Sequence, residues 1–213
     1  GSAEAMVVTA SASGSVSAHR VQVTEKELSI VPEWTASKAH SGLAATSVAI
    51  FPFQDGHVAS AGEDGRVSIF STMSGQSVRT LHAEEDTVHS LACDSRTFIS
   101  SGRSIQLWDR NDPRDAPAAA LRDPADLHGS RSYLTAAYHP TSNLIAAGSD
   151  VGTIHIWDIR QTASPLCHLA APNGQAMITQ VSFPSTSARY MLLSAAADGC
   201  VIQWDFSTSD NLM

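Results

Sequence analysis

The sequence predicts an all-β fold built from repeated four-stranded antiparallel units. The first observation is a recurring segment that closes on an aromatic residue or a histidine, at His19, Phe70, Trp108, Trp157 and Trp204. The second is an Asp-Gly pair between two apolar runs, which supplies the positive-φ position that a tight hairpin turn requires. The third is that no segment shows the apolar period of an amphipathic helix. A near-constant period of this kind indicates an array of sheet units.

The repeat frame is clearest where Val58–Phe70 is laid over Leu192–Trp204, because the two segments match at equal length and both contain Asp-Gly. Val7–His19 fits the same frame. Leu144–Trp157 fits with one inserted residue, and Phe98–Trp108 fits with a shortened turn. In each segment an apolar run leads to the turn and an alternating run follows it, which is typical of a β-hairpin.

Two further candidate strands lie between successive hairpins, so the sequence predicts about 18 strands in all. Gly1-Ser2 is interpreted as an expression scar, and residues 1–5 are predicted to be disordered. The predicted units comprise about residues 6–37, 38–82, 83–124, 125–170 and 171–206. The chain opens on the second strand of one unit and closes on the third strand of another.

Composition excludes several classes of protein. The 213 residues are 43% hydrophobic and 16% charged, so the chain is expected to fold and not to stay disordered. No apolar run approaches the ~20 residues of a membrane-spanning helix, so membrane insertion is not expected, and a net charge of -8 disfavours a nucleic-acid partner. Cys93, Cys167 and Cys200 lack metal-ligand spacing, which indicates reduced thiols in an intracellular protein.

Three units end on a Trp-Asp pair, at Trp108-Asp109, Trp157-Asp158 and Trp204-Asp205. With the Asp-Gly turns, these pairs resemble the WD40 repeat of the β-propeller family. The resemblance covers nearly the whole chain and implies a partial ring of about four to five blades of four antiparallel strands. An open arc of a longer propeller is expected, and a compact five-bladed ring is the alternative.

The family pattern often places a Gly-His before each unit, with the His bonding toward the turn Asp. The matching places here read Ala83-Glu84 and Pro172-Asn173, so that network is expected to be incomplete. The tryptophans Trp108, Trp157 and Trp204 are predicted to fill the core between blades. The residues Asp64, Gly65, Asp198 and Gly199 are predicted to form turns. Trp34 lies outside the repeat frame and is either a strand residue or an exposed aromatic anchor.

Several longer stretches resemble WD40 nucleoporins of the outer-ring (Y) complex of the nuclear pore. They are Glu33–His40, Val58–Phe70, Ser77–Leu81, Ile105–Arg110, Thr153–Gln161 and Asp198–Asp205. The resemblance implies a non-catalytic scaffold at the nuclear envelope that docks on other nucleoporins of the Y complex. It further implies a part in pore assembly and in protein and mRNA transport, and a place at the kinetochore in mitosis.

A second interpretation comes from Trp157-Asp158-Ile159-Arg160. This Trp-Asp-x-Arg sequence resembles the box with which WD40 substrate receptors dock on the adaptor of a cullin-4 ubiquitin ligase. On that interpretation Arg160 projects as a charged anchor while Asp158 packs locally. The simpler interpretation is that Arg160 faces water at the end of a strand.

The sequence predicts no enzyme, cofactor, catalytic residue or metal site. It contains no nucleophile elbow, phosphate-binding loop or dinucleotide fingerprint. None of its nine histidines forms a His-x3-His pair, and a ring such as that of His155 is expected to pack between blades. Cys167-His168 would need further converging ligands to hold a metal ion.

Partner binding is predicted on the face that carries the tight turns, because loops converge there. The residues expected to contribute are Glu63, Asp86, Tyr133, Ser149, Met177 and Ala197. Residues 111–132 form either a solvated connection or a recognition loop. The acidic balance favours a partner with a basic docking face, and open blade edges predict self-association of the fragment.

Overall fold

The computed structural model describes residues 3–23, 27–52, 56–83, 86–126, 129–139, 141–170, 176–184 and 190–207. Every regular element within these ranges is a β-strand. The strands are β1 Ala3–Ala10, β2 Val16–Val23, β3 Leu28–Ala36, β4 Ala45–Ile50, β5 His57–Gly62, β6 Arg66–Ser71, β7 Ser77–His82, β8 Ser90–Cys93, β9 Thr97–Ser101, β10 Ile105–Asp109, β11 Ala119–Leu121, β12 Tyr133–Tyr138, β13 Leu144–Ser149, β14 Thr153–Asp158, β15 Cys167–Ala170, β16 Ile178–Ser182, β17 Met191–Ala196 and β18 Val201–Asp205. No membrane-length apolar helix occurs in the described ranges.

The strands form five antiparallel sheets, each made of strands that are consecutive in the chain. The first sheet is β1–β3, the second β4–β7, the third β8–β11, the fourth β12–β15 and the fifth β16–β18. The first two sheets belong to one compact unit, residues 1–88, and the last three belong to another, residues 89–213. The first sheet contains the second to fourth strands of the repeat, and the fifth sheet contains the first to third.

Each sheet falls within one of the sequence units, except at the start of the first sheet. Strand β1 begins at Ala3 and pairs with β2 from Ala3↔Val23 onward. Residues 3–5 are therefore strand, which corrects the expectation of disorder for this part of residues 1–5, while residues 1–2 lie outside the described residues. Pairing with β2 satisfies the backbone groups that face that strand, a contribution that composition alone does not reveal.

The register corrects the repeat frame of the fourth sheet. The closing residue pairs with the first frame residue as Val58↔Phe70, Phe98↔Trp108 and Leu192↔Trp204. In the fourth sheet the corresponding pair is Ile145↔Trp157, and Leu144 pairs with Asp158 instead. The frame there runs from Ile145 to Trp157 without an insertion. A shift of one residue along a strand would turn every side chain to the other face of the sheet. Burial of Trp157 therefore fixes this alignment of the repeat.

The corrected frame aligns the turns. Gly14, Gly65, Gly152 and Gly199 all occupy the same position, with φ between 70° and 85°. Such values are accessible to glycine without the strain that a Cβ would impose. Val151 of the fourth sheet therefore matches Asp64, and Ala147 matches Ser60.

Cores form where sheets of the same compact unit pack face to face. In the unit of residues 89–213, the third and fourth sheets bury Ile99, Ile105, Tyr133, Ile145 and Trp157 among others. The opposite face of the fourth sheet packs on the fifth through a cluster that includes Leu144, Ile156, Ile178 and Leu192. Strands buried on both faces explain the continuous apolar runs of β13 and β14.

In the unit of residues 1–88, Trp34 is a half-buried residue of β3 whose ring stacks on Phe70, with centroids 6.1 Å apart. Its indole Nε1–H donates to the carbonyl oxygen of Thr72 at 2.7 Å. Of the two sequence interpretations, the structure therefore supports the strand residue. The outer half of the first sheet leaves apolar side chains exposed, including Leu28 and Ile30. Self-association through these side chains remains a prediction.

Candidate functional site

The structure exposes four of the residues predicted to meet a partner on the turn face. Glu63, Asp86, Met177 and Ala197 are all exposed. Met177 and Ala197 lie together at one end of the fifth sheet, because the Ala197 N–H donates to the Met177 carbonyl oxygen at 2.9 Å. The Glu63 N–H donates to the Ala44 carbonyl oxygen at 2.9 Å, which fixes the equivalent turn of the second sheet. These four residues remain candidates for partner contacts.

Tyr133 and Ser149 are corrected, because both are buried, with exposures of 2% and 0%. They pair with each other where β12 meets β13. The Tyr133 ring packs edge-on against Trp157 with centroids 5.6 Å apart. The Ser149 hydroxyl accepts the Thr153 N–H at 3.1 Å and closes the turn. Both residues lie in strands at the base of the turn, so neither side chain reaches a partner.

The aspartate of each Trp-Asp pair closes the turn that follows its strand. Asp109 accepts the backbone N–H of Asn111, Asp158 that of Arg160 and Asp205 that of Ser207, each at 2.9 Å. The repeat of this bond in three sheets gives the Trp-Asp pair a structural role. Hydrogen bonds from Asn111 and Arg96 hold the pKa of Asp109 below its usual range.

Arg160 lies against the aspartate two residues before it. Its Nε donates to Asp158 Oδ1 at 2.9 Å and to Oδ2 at 3.1 Å, and its Nη2 also contacts Oδ2. The hydrogen bond to Asp158 raises the pKa of Arg160. The side chain is 65% exposed, so a partner can reach the guanidinium, whose charge Asp158 already offsets.

A buried polar network in the second sheet was missed in the sequence. His40 Nδ1 lies 2.9 Å from Asp64 Oδ1, and its Nε2 lies 2.7 Å from Ser60 Oγ. Asp64 Oδ1 also accepts the Arg66 N–H at 3.2 Å and so shapes the turn. This is the His-to-turn-Asp contact that the repeat pattern implies, here with Ala39 in the place of glycine. Glu84, Pro172 and Asn173, where the pattern was sought, lie outside the described residues.

The fourth sheet carries a different cluster of charged side chains. Asp123, from the connection before the sheet, accepts a hydrogen bond from Arg131 Nη1 at 2.6 Å. His155 Nε2 of β14 lies 3.2 Å from the same carboxylate oxygen and 3.1 Å from Arg131 Nη1. His168 Nδ1 of β15 lies 4.0 Å away from that oxygen. Asp123 and Arg131 of the 111–132 connection therefore belong to an internal network.

Burial controls the charge states of this cluster. Burial, together with the positive charges of His168 and Arg131, lowers the pKa of His155 to about 4. Burial alone would raise the pKa of Asp123, but hydrogen bonds from Ala125 and Arg131 and the adjacent histidines hold it below the usual value. The cluster at neutral pH is thus an ionised Asp123 and a protonated Arg131 beside a neutral His155.

Asp123, His155 and His168 offer three ligand atoms that lie within 4.8 Å of one another. Two histidines and a carboxylate are a ligand set that divalent transition metals accept. Arg131 Nη1, however, contacts both Asp123 Oδ2 and His155 Nε2. The guanidinium therefore occupies the place of a metal ion and neutralises the carboxylate. The geometry fits a structural ion network better than a metal site.

Comparison with known proteins adds to this geometry. The family "WD domain, G-beta repeat" matches residues 125–158, which include Arg131, His155 and Trp157. The chain contains a WD40 repeat domain. Its all-β sheets have the fold class of a WD40 β-propeller, as the sequence predicts.

The WD40 domain is similar to several curated relatives and solved structures. Nucleoporin Nup43 of Homo sapiens is 27% identical over 95% of the chain and 54% of its own length, which confirms the resemblance to nucleoporin 43 that the sequence indicates. Ribosome biogenesis protein YTM1 of Podospora anserina is 26% identical over 51% of the chain and 24% of its own length. The chain spans about half the length of the Nup43 relatives that it matches.

A solved structure shares the fold. Chaetomium thermophilum Sqt1, bound to the N-terminus of the ribosomal protein L10, superimposes with a TM-score of 0.77 at 20% identity. The match covers 98% of this chain and 57% of that chain. At this identity the likeness describes the fold of the WD40 domain.

The tryptophans of the WD40 domain differ in how their indole N–H groups are paired. The Trp108 N–H donates to Ser100 Oγ at 2.9 Å and the Trp204 N–H to Ser194 Oγ at 2.8 Å. Trp157 finds no acceptor among the described residues, because Ala147 occupies the matching position. Trp108 and Trp157 are fully buried, and Trp204 is half-buried.

The cysteines of the WD40 domain are not activated as nucleophiles. All three are free thiols. Burial raises the pKa of Cys93 to about 12 and that of Cys167 to about 11, so both stay protonated at neutral pH. The hydrogen bond to Asp198 raises the pKa of Cys200 as well. Thiolate chemistry requires the opposite shift.

Proposed function

We propose that this WD40 domain is a non-catalytic protein-interaction scaffold within the outer-ring (Y) complex of the nuclear pore. The observation that carries the proposal is the 27% identity to human nucleoporin Nup43, which extends over 95% of the chain. On this proposal the protein lies at the nuclear envelope, supports pore assembly and nucleocytoplasmic transport, and binds other nucleoporins of the Y complex.

The turn face supplies the proposed contact. In the unit of residues 89–213, Met177 is 47% exposed beside the exposed Ala197, and the unit of residues 1–88 exposes Glu63 and Asp86 at turns of its own. An apolar side chain that becomes buried on binding is the usual source of binding energy in a protein interface. With a net charge of -8, the chain favours a partner whose docking face is basic.

A second candidate function is a role in ribosome assembly. It is favoured by the similarity to Ribosome biogenesis protein YTM1 and by the shared fold with Sqt1, which is bound to a ribosomal protein in its solved structure. The match to YTM1 covers only 51% of the chain, compared with 95% for Nup43. The broader coverage of the match to Nup43 is the reason for preferring the nuclear-pore function to a role in ribosome assembly.

The cullin-4 receptor is the third candidate, and it depends on Arg160. Because the Arg160 guanidinium and N–H both bind Asp158, closure of a turn accounts for the Trp-Asp-x-Arg sequence without a partner. We therefore rank this function below the other two.

Affinity purification of the full-length parent protein from cells, followed by mass spectrometry, distinguishes the three functions. Outer-ring nucleoporins in stoichiometric amounts are the expected result. Pre-ribosomal proteins in their place would overturn the pore assignment in favour of ribosome assembly. Recovery of the cullin-4 adaptor, lost on Arg160→Ala, would overturn it in favour of the ligase.

The contact surface is tested in the same experiment with two methionine variants. Met177→Asp places a charge on the proposed turn face and is expected to reduce recovery of the nucleoporins at least tenfold. Met73→Asp is the matched control, because Met73 is 90% exposed in the turn between β6 and β7 and was not predicted to meet a partner. Equal recovery by both variants would remove Met177 from the interface.

A further inference from the structure

A cavity of about 430 Å³ opens in the unit of residues 1–88, between the β3–β4 connection and strands β6 and β7. Lys38 and Arg66 line it, and none of the described residues that line it is an aspartate or a glutamate. Neither cation forms an ion pair with a described residue. Two uncompensated positive charges at one concavity are unexpected in a chain with a net charge of -8, and they attract an anion.

Hydroxyl groups supply hydrogen-bond donors to the same cavity. Ser68 is 2% exposed, and its Oγ lies 3.3 Å from Thr80 Oγ1. Thr80 Oγ1 lies 3.5 Å from Ser77 Oγ. A hydroxyl carries one hydrogen, so these three linked hydroxyls use two hydrogens between themselves and keep one that can donate to an anion. The hydroxyls of Ser37 and Ser41 also line the cavity, so the lining combines charge with several donors.

The aromatic wall of the cavity is held in place before any ligand arrives. Phe70 lines the cavity and stacks on Trp34, whose indole N–H is bound to Thr72. Gly75 has φ 66°, and a Cβ there would come within 2.6 Å of Trp34 Cδ2. A wall fixed in this way lowers the ordering cost of binding.

We propose that this cavity binds a phosphorylated serine or threonine side chain of a partner protein. A phosphoryl group carries nearly two negative charges and three strong acceptor oxygens, which match two cations and a set of hydroxyl donors. A single carboxylate has fewer acceptors and half the charge. The cavity is far larger than one water molecule needs, so it has room for a phosphoryl group together with the side chain that carries it.

The proposal rests on the proposed scaffold function in one respect only, which is the identity of the partner that carries the phosphorylated segment. Binding of a phosphoserine probe to the 213-residue chain is measured without any pore protein. A chain that recovers nucleoporins and ignores the probe would overturn this inference alone. A chain that binds the probe and recovers no nucleoporins would overturn only the pore assignment.

The test is titration of the ¹⁵N-labelled chain with N-acetyl-phosphoserine amide, followed by chemical-shift changes. Saturable changes at cavity residues are expected, with a dissociation constant in the millimolar range that is typical of a single small group. Lys38→Gln and Arg66→Gln are each expected to weaken binding about tenfold. Ser68→Ala retains both charges and is expected to weaken binding about threefold. Each variant is first checked for an unchanged amide spectrum away from the cavity.

Two controls make the result specific. Arg122→Gln removes one exposed positive charge that does not line the cavity, and it is expected to leave binding unchanged. N-acetyl-serine amide is expected not to bind. Absence of binding by the unaltered chain, or equal binding by Arg66→Gln, would overturn the proposal. Equal affinity for N-acetyl-glutamate amide would replace the phosphorylated ligand by an acidic peptide.

Discussion

The second and fourth sheets occupy the same repeat frame and stabilise it with different polar groups. In the second sheet, Asp64 of the turn binds His40 from the preceding connection, and His40 binds Ser60 of the strand. In the fourth sheet, Val151 and Ala147 replace the turn aspartate and the strand serine. There the histidine is His155 on the strand, and its carboxylate comes from the preceding connection.

Both sheets therefore contain a buried histidine–carboxylate contact with the preceding connection. The connection supplies the histidine in the second sheet and the carboxylate in the fourth. In the fourth sheet the contact also requires Arg131, because its guanidinium binds both Asp123 and His155. The turn itself is then closed by Ser149, which takes over the task of Asp64. Four predictions test this comparison.

The largest difference is expected between the two aspartates. Asp123→Ala leaves the largely buried Arg131 guanidinium and His155 without their carboxylate, so we expect a loss of about 3–5 kcal/mol in unfolding free energy. Asp64→Ala leaves His40 Nδ1 and the Arg66 N–H without the carboxylate oxygen that they contact, and we expect a loss of about 2 kcal/mol. Urea unfolding of the two variants measures both values. Equal losses would contradict the greater role assigned to the ion network.

Acid is expected to destabilise the fourth sheet through His155. Its pKa is about 4 in the folded chain and 6.5 in the unfolded chain, so the unfolded state binds more protons between these values. The stabilisation is complete above pH 6.5 and is lost as the pH falls toward 4, by about 3 kcal/mol. The lowered pKa of Asp123 adds a loss in the same direction below its usual value of 3.8.

Urea unfolding at a series of pH values measures this loss. His155→Gln is expected to flatten the profile between pH 6.5 and 4, whereas His82→Gln, at an exposed ring outside the cluster, is the matched control. NMR titration of the His155 ring checks the cause directly. A ring that titrates near 6.5 would contradict the prediction even if the variant failed to fold.

Ser149 is expected to affect stability and not partner binding. Ser149→Ala removes the acceptor of the Thr153 N–H in a buried turn, which should cost about 1–2 kcal/mol. Ser74→Ala removes a similar bond to the Gln76 N–H at an exposed turn and should cost less. Thermal unfolding compares the two. A loss of partner recovery in a still-folded Ser149→Ala protein would restore Ser149 to the contact surface.

The smallest effect is expected in the fourth sheet, where the indole N–H of Trp157 lacks an acceptor among the described residues. Ala147→Ser places a hydroxyl where Ser194 and Ser100 bind the indole N–H of their tryptophans, so we expect a gain of about 1 kcal/mol. Ser194→Ala is the reciprocal change and should cost a similar amount. Urea unfolding measures both. Destabilisation by Ala147→Ser would show that the pocket around Trp157 has no room for the hydroxyl.

The repeat, the β-hairpins and the Asp-Gly turns were all predicted from sequence, because turn chemistry and strand alternation act over a few neighbouring residues. Asp-Gly predicts its hairpin at 64–65 since glycine alone takes φ 70° there without strain. The nucleoporin resemblance also came from local stretches in a fixed order. The frame of Leu144–Trp157 is wrong by one residue, because Asp150 cannot be the turn aspartate when Val151 stands between it and Gly152.

The candidate sites depend on contacts that no local pattern records. Asp123 and His155 are 32 residues apart, and His40 and Ser60 are 20 apart, so only the pairing of strands brings them together. The burial of Tyr133 and Ser149, and the cavity between Lys38 and Arg66, likewise follow from the packing of neighbouring strands and sheets. The sequence by itself determined the repeated unit, since short-range backbone preferences specify it. The tertiary structure alone decided which side chains meet and which face solvent, because those depend on register and burial across distant strands.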